Sequence, residues 1–170
     1  AEEFNRLENL LRLADEEITD PERRAMLTRI DSAAGAYEET FGGVTRLIRN
    51  RQRINAEILD IQEHVMRDKL TALRVHSVHT NDPRLFLAFG NAQNALERMR
   101  SSTLKFLVER DPKYAVQFEI AYQEAQAAFS SLETMLESPV HRQNFIEAQA
   151  AAETYYEGVD AIRSDQTRLR

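Results

Sequence analysis

The sequence predicts an all-α fold: an antiparallel helical bundle with one long helix, arranged as two stacked helical modules. Three observations carry this expectation. All four prolines directly follow helix-capping residues, in Asp20-Pro21, Asp82-Pro83, Asp111-Pro112 and Ser138-Pro139. Proline suits the first helical position, where its missing N–H would have no partner, and the Asp or Ser before it can accept from the free amides of the first turn. Between these starts, apolar residues recur at alternating three- and four-residue steps, the spacing of one helix face. Only five glycines accompany the four prolines, so little else in 170 residues interrupts a helix.

The first helix carries Phe4, Leu7, Leu11, Ala14 and Ile18 on one narrow stripe and stops at Thr19-Asp20. The second carries Ile30, Tyr37, Val44, Ile58, Val65 and Ala72 at steps of seven, with Ala34, Phe41, Ile48, Ile54 and Ile61 between them. Because that phase survives Gly42-Gly43, residues 21–79 read as one helix of about 90 Å, with any bend at the glycines. The third helix shows Leu85, Phe89, Ala92, Leu96, Met99, Thr103 and Phe106 and ends at Arg110-Asp111. The fourth follows with Phe118, Tyr122, Ala125, Phe129, Leu132 and Leu136, and the fifth with Phe145, Ala148, Ala152, Tyr155, Val159, Ile162 and Leu169.

Connections this short make neighbouring helices antiparallel. The expected organisation is a single domain in two modules. Residues of about 1–50, with the end of the last helix, form one module in which helix one packs on helix two; residues of about 51–160 form a four-helix module. Five antiparallel helices would put the termini at opposite ends, whereas a domain hung between two membrane spans needs an even number. Either Gly42-Gly43 breaks the second helix or an additional helix precedes Ala1, and the unbroken heptad phase favours the additional helix.

Composition narrows the function classes. Apolar residues make up 42% and charged residues 29%, which suits a folded chain. A net charge of −6 gives no electrostatic reason to expect nucleic acid as a partner. The absence of cysteine removes disulfides, thiolate metal sites and thiol nucleophiles. No apolar run approaches the ~20 residues of a bilayer span. The chain opens Ala1-Glu2-Glu3-Phe4 without methionine, which reads as a piece whose targeting and membrane segments lie elsewhere. Residues 36–44 and 152–159 share aromatic, acidic and Gly-Val elements, and 13–21 resembles 104–112, as a duplicated helical hairpin would.

Several runs together resemble a known family. They are Ile30…Tyr37…Phe41…Val44…Leu47, the hairpin from Arg100 through Leu104-Lys105-Phe106-Leu107-Val108-Glu109-Arg110-Asp111-Pro112, and Ala148…Tyr155-Tyr156…Val159. In these the chain resembles the helical bimodular extracytoplasmic sensor domains of bacterial chemoreceptors and sensor histidine kinases. The resemblance implies a periplasmic domain of a membrane-anchored inner-membrane receptor that binds a small organic acid between helices and works as a homodimer. The sequence shows no Gly-rich phosphate loop, no Ser-His-Asp arrangement and no nucleophile elbow, so the chain is not expected to be an enzyme itself, and no cofactor is expected.

Read from the residues, Arg51 is the sharpest anomaly, because it occupies a seam position where Ile30, Tyr37, Val44 and Ile58 are apolar. Two readings stay open. A ligand carboxylate matches the guanidinium fork, while snorkelling to solvent or pairing with a glutamate serves structure alone. Arg46, Arg49 and Arg53 form a solvated basic band around it. Arg98 and Arg100 flank the seam at Met99 and could reach a ligand from the bundle edge. Tyr37, Tyr122 and Tyr155 fall on apolar stripes, as core residues or as the walls of a pocket if one of these arginines is near. Metal signals are weak. No Glu-x-x-His occurs on a helix, and His76 and His79 share a face at three-residue spacing, where they could hold a metal with one or two further ligands, as a metal-binding bundle would, or stand exposed near the helix end. The alternative class is a helical scaffold for protein binding with no small-molecule site.

Overall fold

In a computed structural model the described residues are 2–80 and 82–167, with side chains for all of these except residues 2 and 76–80. They form an all-α fold: α1 (Glu2–Glu17), α2 (Pro21–Ile54), a π-helical turn (Asn55–Leu59), α3 (Asp60–Thr80), α4 (Pro83–Glu109), α5 (Pro112–Glu133) and α6 (Pro139–Thr167). Pro21, Pro83, Pro112 and Pro139 each open a helix, as the sequence predicts. Three of the caps form as expected. The Asp20 carboxylate accepts from the Arg23 amide at 2.9 Å, Asp82 from Arg84 at 2.9 Å and Leu85 at 3.4 Å, and Asp111 from Lys113 at 2.9 Å. At Ser138 the hydroxyl makes no such bond among the described residues; its carbonyl accepts from the Arg142 amide at 3.0 Å. Arg110 closes α4 in the left-handed region, φ 56°, at a cost of about 1–2 kcal/mol for a residue with a Cβ, and so lets Asp111-Pro112 start α5 at once.

The helix passes through Gly42-Gly43 without a break. Its irregularity falls instead at Asn55–Leu59, where i→i+5 bonding places one extra residue in the turn. That residue resets the seam. The sequence puts Ile58, Val65 and Ala72 in the core, but Leu59, Met66 and Leu73 are the buried side chains, each one position later, while Ile58 and Val65 are only partly buried and Ala72 and Ile61 are exposed.

The chain divides into two compact units, residues 1–50 and 51–170. The first contains α1 and most of α2. Helix α1 makes few close contacts with α2, against the expectation that they pack together, and no described residue of this unit is buried. Ile30, Tyr37, Phe41 and Ile48 stand between 42% and 63% exposed. Leu169 lies outside the described residues.

The second unit is a four-helix bundle. Paired contacts fix its directions: Glu63 meets Arg100 and Arg74 meets Gln93 between α3 and α4; Arg98 meets Glu124 between α4 and α5; Phe129 meets Phe145 and Glu119 meets Tyr156 between α5 and α6; Lys69 meets Glu147 between α3 and α6. In α3/α4 and α5/α6 rising numbers on one helix match falling numbers on the other, and Leu59 beside Gly158 together with Lys69 beside Glu147 gives the same order along α6, so these neighbours are antiparallel.

Helices α4 and α5 lie closest to one another, as do α3 and α6. Small side chains allow both approaches. Ala88, Ala92 and Ala95 are buried on α4 and Ala115, Ala121 and Ala125 on α5, while α6 presents Ala148, Ala151, Ala152 and Gly158. A Cβ on Gly158 would stand 2.9 Å from Leu59 Cδ2 and 3.2 Å from Ile58 Cγ2, so the π turn seats directly on this glycine. Fully buried Phe106, Phe129, Phe145, Leu73, Met99 and Leu132 fill the space between the two pairs.

Candidate functional site

The residues singled out in the sequence separate into distinct places. Arg100 and Tyr155 come together. On α4, the Arg100 Nε lies 2.9 Å from Glu63 Oε2 of α3, and Arg67 Nη1 lies 3.8 Å from the other carboxylate oxygen. Glu63 is thus a carboxylate shared by two guanidiniums, held four-fifths buried by the surrounding helices. Beside it, between α3, α4 and α6, is a cavity of about 40 Å³ walled by Met66, Leu70, Met99 and Tyr155. That volume accommodates a water or two.

Tyr155 is 3% exposed and its hydroxyl pairs with the Thr103 side chain. Thr103, a buried polar residue on the α4 seam, donates in turn to the Met99 carbonyl at 2.9 Å. Burial pushes the Tyr155 phenol up to about 12; the Thr103 bond and the Arg100 charge pull against this, and the Glu63 charge adds to it. Tyr155 therefore stays neutral and can donate a hydrogen bond at any physiological pH.

Arg98 faces a different interface. Its Nη2 lies 2.8 Å from Glu124 Oε2 across an open groove of about 520 Å³ between α4 and α5, into which Asn91 and Asn94 also project. Tyr122 belongs to an aromatic column: its ring stacks on Tyr156 at 4.2 Å, Tyr156 on Phe118 at 5.7 Å, and Phe118 leans on Tyr155 at 6.3 Å. The Tyr122 hydroxyl accepts from Gln126 Nε2 at 2.6 Å, and partial burial raises its pKa. Tyr37, 63% exposed, stacks on Phe41 at 5.9 Å. Arg51 is half-buried with no ion pair or hydrogen bond among the described residues. The side chains of His76 and His79 lie outside the described residues. Among the described ones, no three His, Asp or Glu residues gather as a metal site would need.

Two features escaped the sequence reading. Glu63, the partner of Arg100, has no sequence mark, because exposed glutamates are frequent on helices and its role depends on the one-residue reset at the π turn. The second is a hollow of about 400 Å³ between the end of α4, the first turns of α5 and the last turns of α6. Gln166 lines it, and its Nε2 is buried without a hydrogen-bond partner among the described residues. A signal existed here. The stripe Tyr155, Val159, Ile162 continues to Gln166 at a four-residue step, so a polar residue stands on an apolar seam as Arg51 does.

No helix among the described residues is long and apolar enough to cross a membrane. No protein-family model, curated protein or solved structure matches this chain.

Proposed function

We propose that this chain is the extracytoplasmic, periplasmic ligand-sensing domain of a membrane-anchored receptor, a sensor histidine kinase or a chemoreceptor, and that it binds a small organic acid between helices. One observation carries the reading: Arg100 of α4, Glu63 of α3 and Tyr155 of α6 converge on a single interhelical cavity. Glu63 there plays the part of a resident carboxylate. An acid with its own carboxylate on Arg100 and its second oxygen toward Tyr155 would compete with Glu63, and the 40 Å³ present admits it only once the Glu63 side chain turns away. Binding would then loosen α3 from α4, so ligand affinity and helix position are linked, and the ligand shifts the population between two packings. The domain itself carries no chemical step in this scheme; any kinase activity belongs to the remainder of the receptor. A homodimer is supported by residues 1–50, whose apolar stripe is exposed.

Thermal shift with acetate, succinate and malate tests the ligand. The native chain should gain a few degrees at saturating acid. Arg100→Ala should lose that gain, Glu63→Gln should bind more tightly because its neutral amide competes less well, and Arg51→Ala should respond as the native chain does. Equal stabilisation of the native chain and Arg100→Ala would reject Arg100 as the anchor.

A further inference from the structure

We infer that the hollow at the α4–α5 hairpin end of the bundle is a second binding site, for a free α-amino acid with an apolar side chain. It goes beyond the Arg100 site and does not depend on it. Its floor and walls are apolar. Phe106 is 2% exposed beneath it, while Val116 and Ile120 of α5 stand 60% and 53% exposed at its side. At about 400 Å³ it falls in the size range of small-ligand pockets.

The polar groups at its rim are few and of both kinds. Gln166 Nε2 is a buried donor without an acceptor among the described residues, an arrangement that favours any acceptor able to reach it. Arg163 brings a guanidinium whose Nη1 is 3.9 Å from Glu119 Oε2, too long for a hydrogen bond, while its Nη2 is bonded to Asp160. Glu119 brings a carboxylate that accepts from the Tyr156 hydroxyl at 3.0 Å through Oε2. Burial of the ring, and after it the bond to the Glu119 carboxylate and its charge, raise the Tyr156 pKa.

A simple acid fits this rim poorly, because the Glu119 carboxylate opposes its charge and Asp160 already occupies Arg163 Nη2. A simple amine leaves Gln166 unsatisfied. A zwitterion answers both: its carboxylate meets Arg163 and, once the shielded Gln166 amide turns into the hollow, Gln166 Nε2 as well, its ammonium meets Glu119, and an aliphatic or aromatic side chain covers Phe106, Val116 and Ile120. Helices α4, α5 and α6 would all touch such a ligand.

Thermal shift and calorimetry with leucine and phenylalanine, set against leucinamide and N-acetylleucine, test this. The two amino acids should bind, and the analogues, each lacking one charge, should bind about tenfold more weakly or not at all. Arg163→Met and Glu119→Gln should each weaken leucine about tenfold. Both side chains are a third or more exposed, and circular dichroism checks that the fold is kept. Arg100→Ala should bind leucine unchanged. Failure of both amino acids to bind, analogues that bind as well as leucine, or an unaffected Arg163→Met would each overturn the site. A response to organic acids that depends on Arg100 would be untouched by any of these, so the two sites fail separately.

Discussion

Residues 1–50 and 51–170 are written in the same sequence idiom and end in opposite physical states. Both carry apolar residues at helical steps, both have an Asp-Pro helix start, and both contain the Gly-Val element preceded by acidic and aromatic residues. Yet the first unit buries no described side chain, while the second closes a core around Phe106, Phe129 and Phe145. The difference teaches that periodicity defines a helix face and says nothing of what covers it. In the second unit, alanines and Gly158 let helices approach within reach of each other's ridges. In the first, Tyr37 and Phe41 lie against one another on a single helix and cover only themselves.

The comparison breaks most sharply with one substitution made in both places. Phe129→Ala removes a ring packed edge-on to Phe145 at 5.8 Å and should cost about 3–5 kcal/mol in urea unfolding. Phe41→Ala removes a ring that is 58% exposed and should cost at most about 0.5 kcal/mol in dilute protein. A large loss at Phe41 that grows with protein concentration would mean that a second copy covers the stripe in solution. A loss at Phe41 independent of concentration would instead contradict the exposure of this face.

How much of this was legible in the sequence follows from where the information is local. The helix starts were fully readable, since Asp20, Asp82 and Asp111 act on amides two or three residues away. The α4, α5 and α6 seams were readable too, because heptad steps persist within a regular helix. The α3 seam was not: a π turn leaves no residue signature, and the single extra residue moved Ile58 and Val65 to the edge of the core and Ala72 to the surface. Nor was the candidate site. Arg98 and Arg100 look alike in sequence, but only helix packing decides that one meets Glu124 across a groove and the other Glu63 beside a cavity.

A second contrast concerns pH. The Tyr155 phenol, with an ordinary value of 10.0, is pushed up to about 12 in the folded chain, so the folded state holds its proton more tightly than the unfolded state. The stability tied to that proton is therefore complete below about pH 10 and drains away as pH climbs through 12, by about 2–3 kcal/mol in all. Unfolding midpoints measured from pH 9 to 12 should fall more steeply for the native chain than for Tyr155→Phe. Parallel curves would mean that the phenol is more open to water than its 3% exposure indicates.

The smallest effect is also the most discriminating, because one change has opposite signs in the two units. Glycine inside a helix is worth about 0.5–1 kcal/mol less than alanine. At Gly42 a Cβ meets nothing within 4 Å, so Gly42→Ala should raise stability by about that amount. At Gly158 the same gain is set against a Cβ 2.9 Å from Leu59 Cδ2, and Leu59 is 2% exposed, so it has no free space to turn into. Overpacking of this kind costs about 1–3 kcal/mol, which leaves Gly158→Ala destabilised by about 1 kcal/mol. Melting temperatures that rise for Gly42→Ala and fall for Gly158→Ala fit this balance. A rise for both would mean that the π turn yields easily, since Ile58 and Leu59 could then retreat from α6 without loss of core packing. A fall for both would mean that Gly42 faces a partner copy closely enough to have no room for a methyl group.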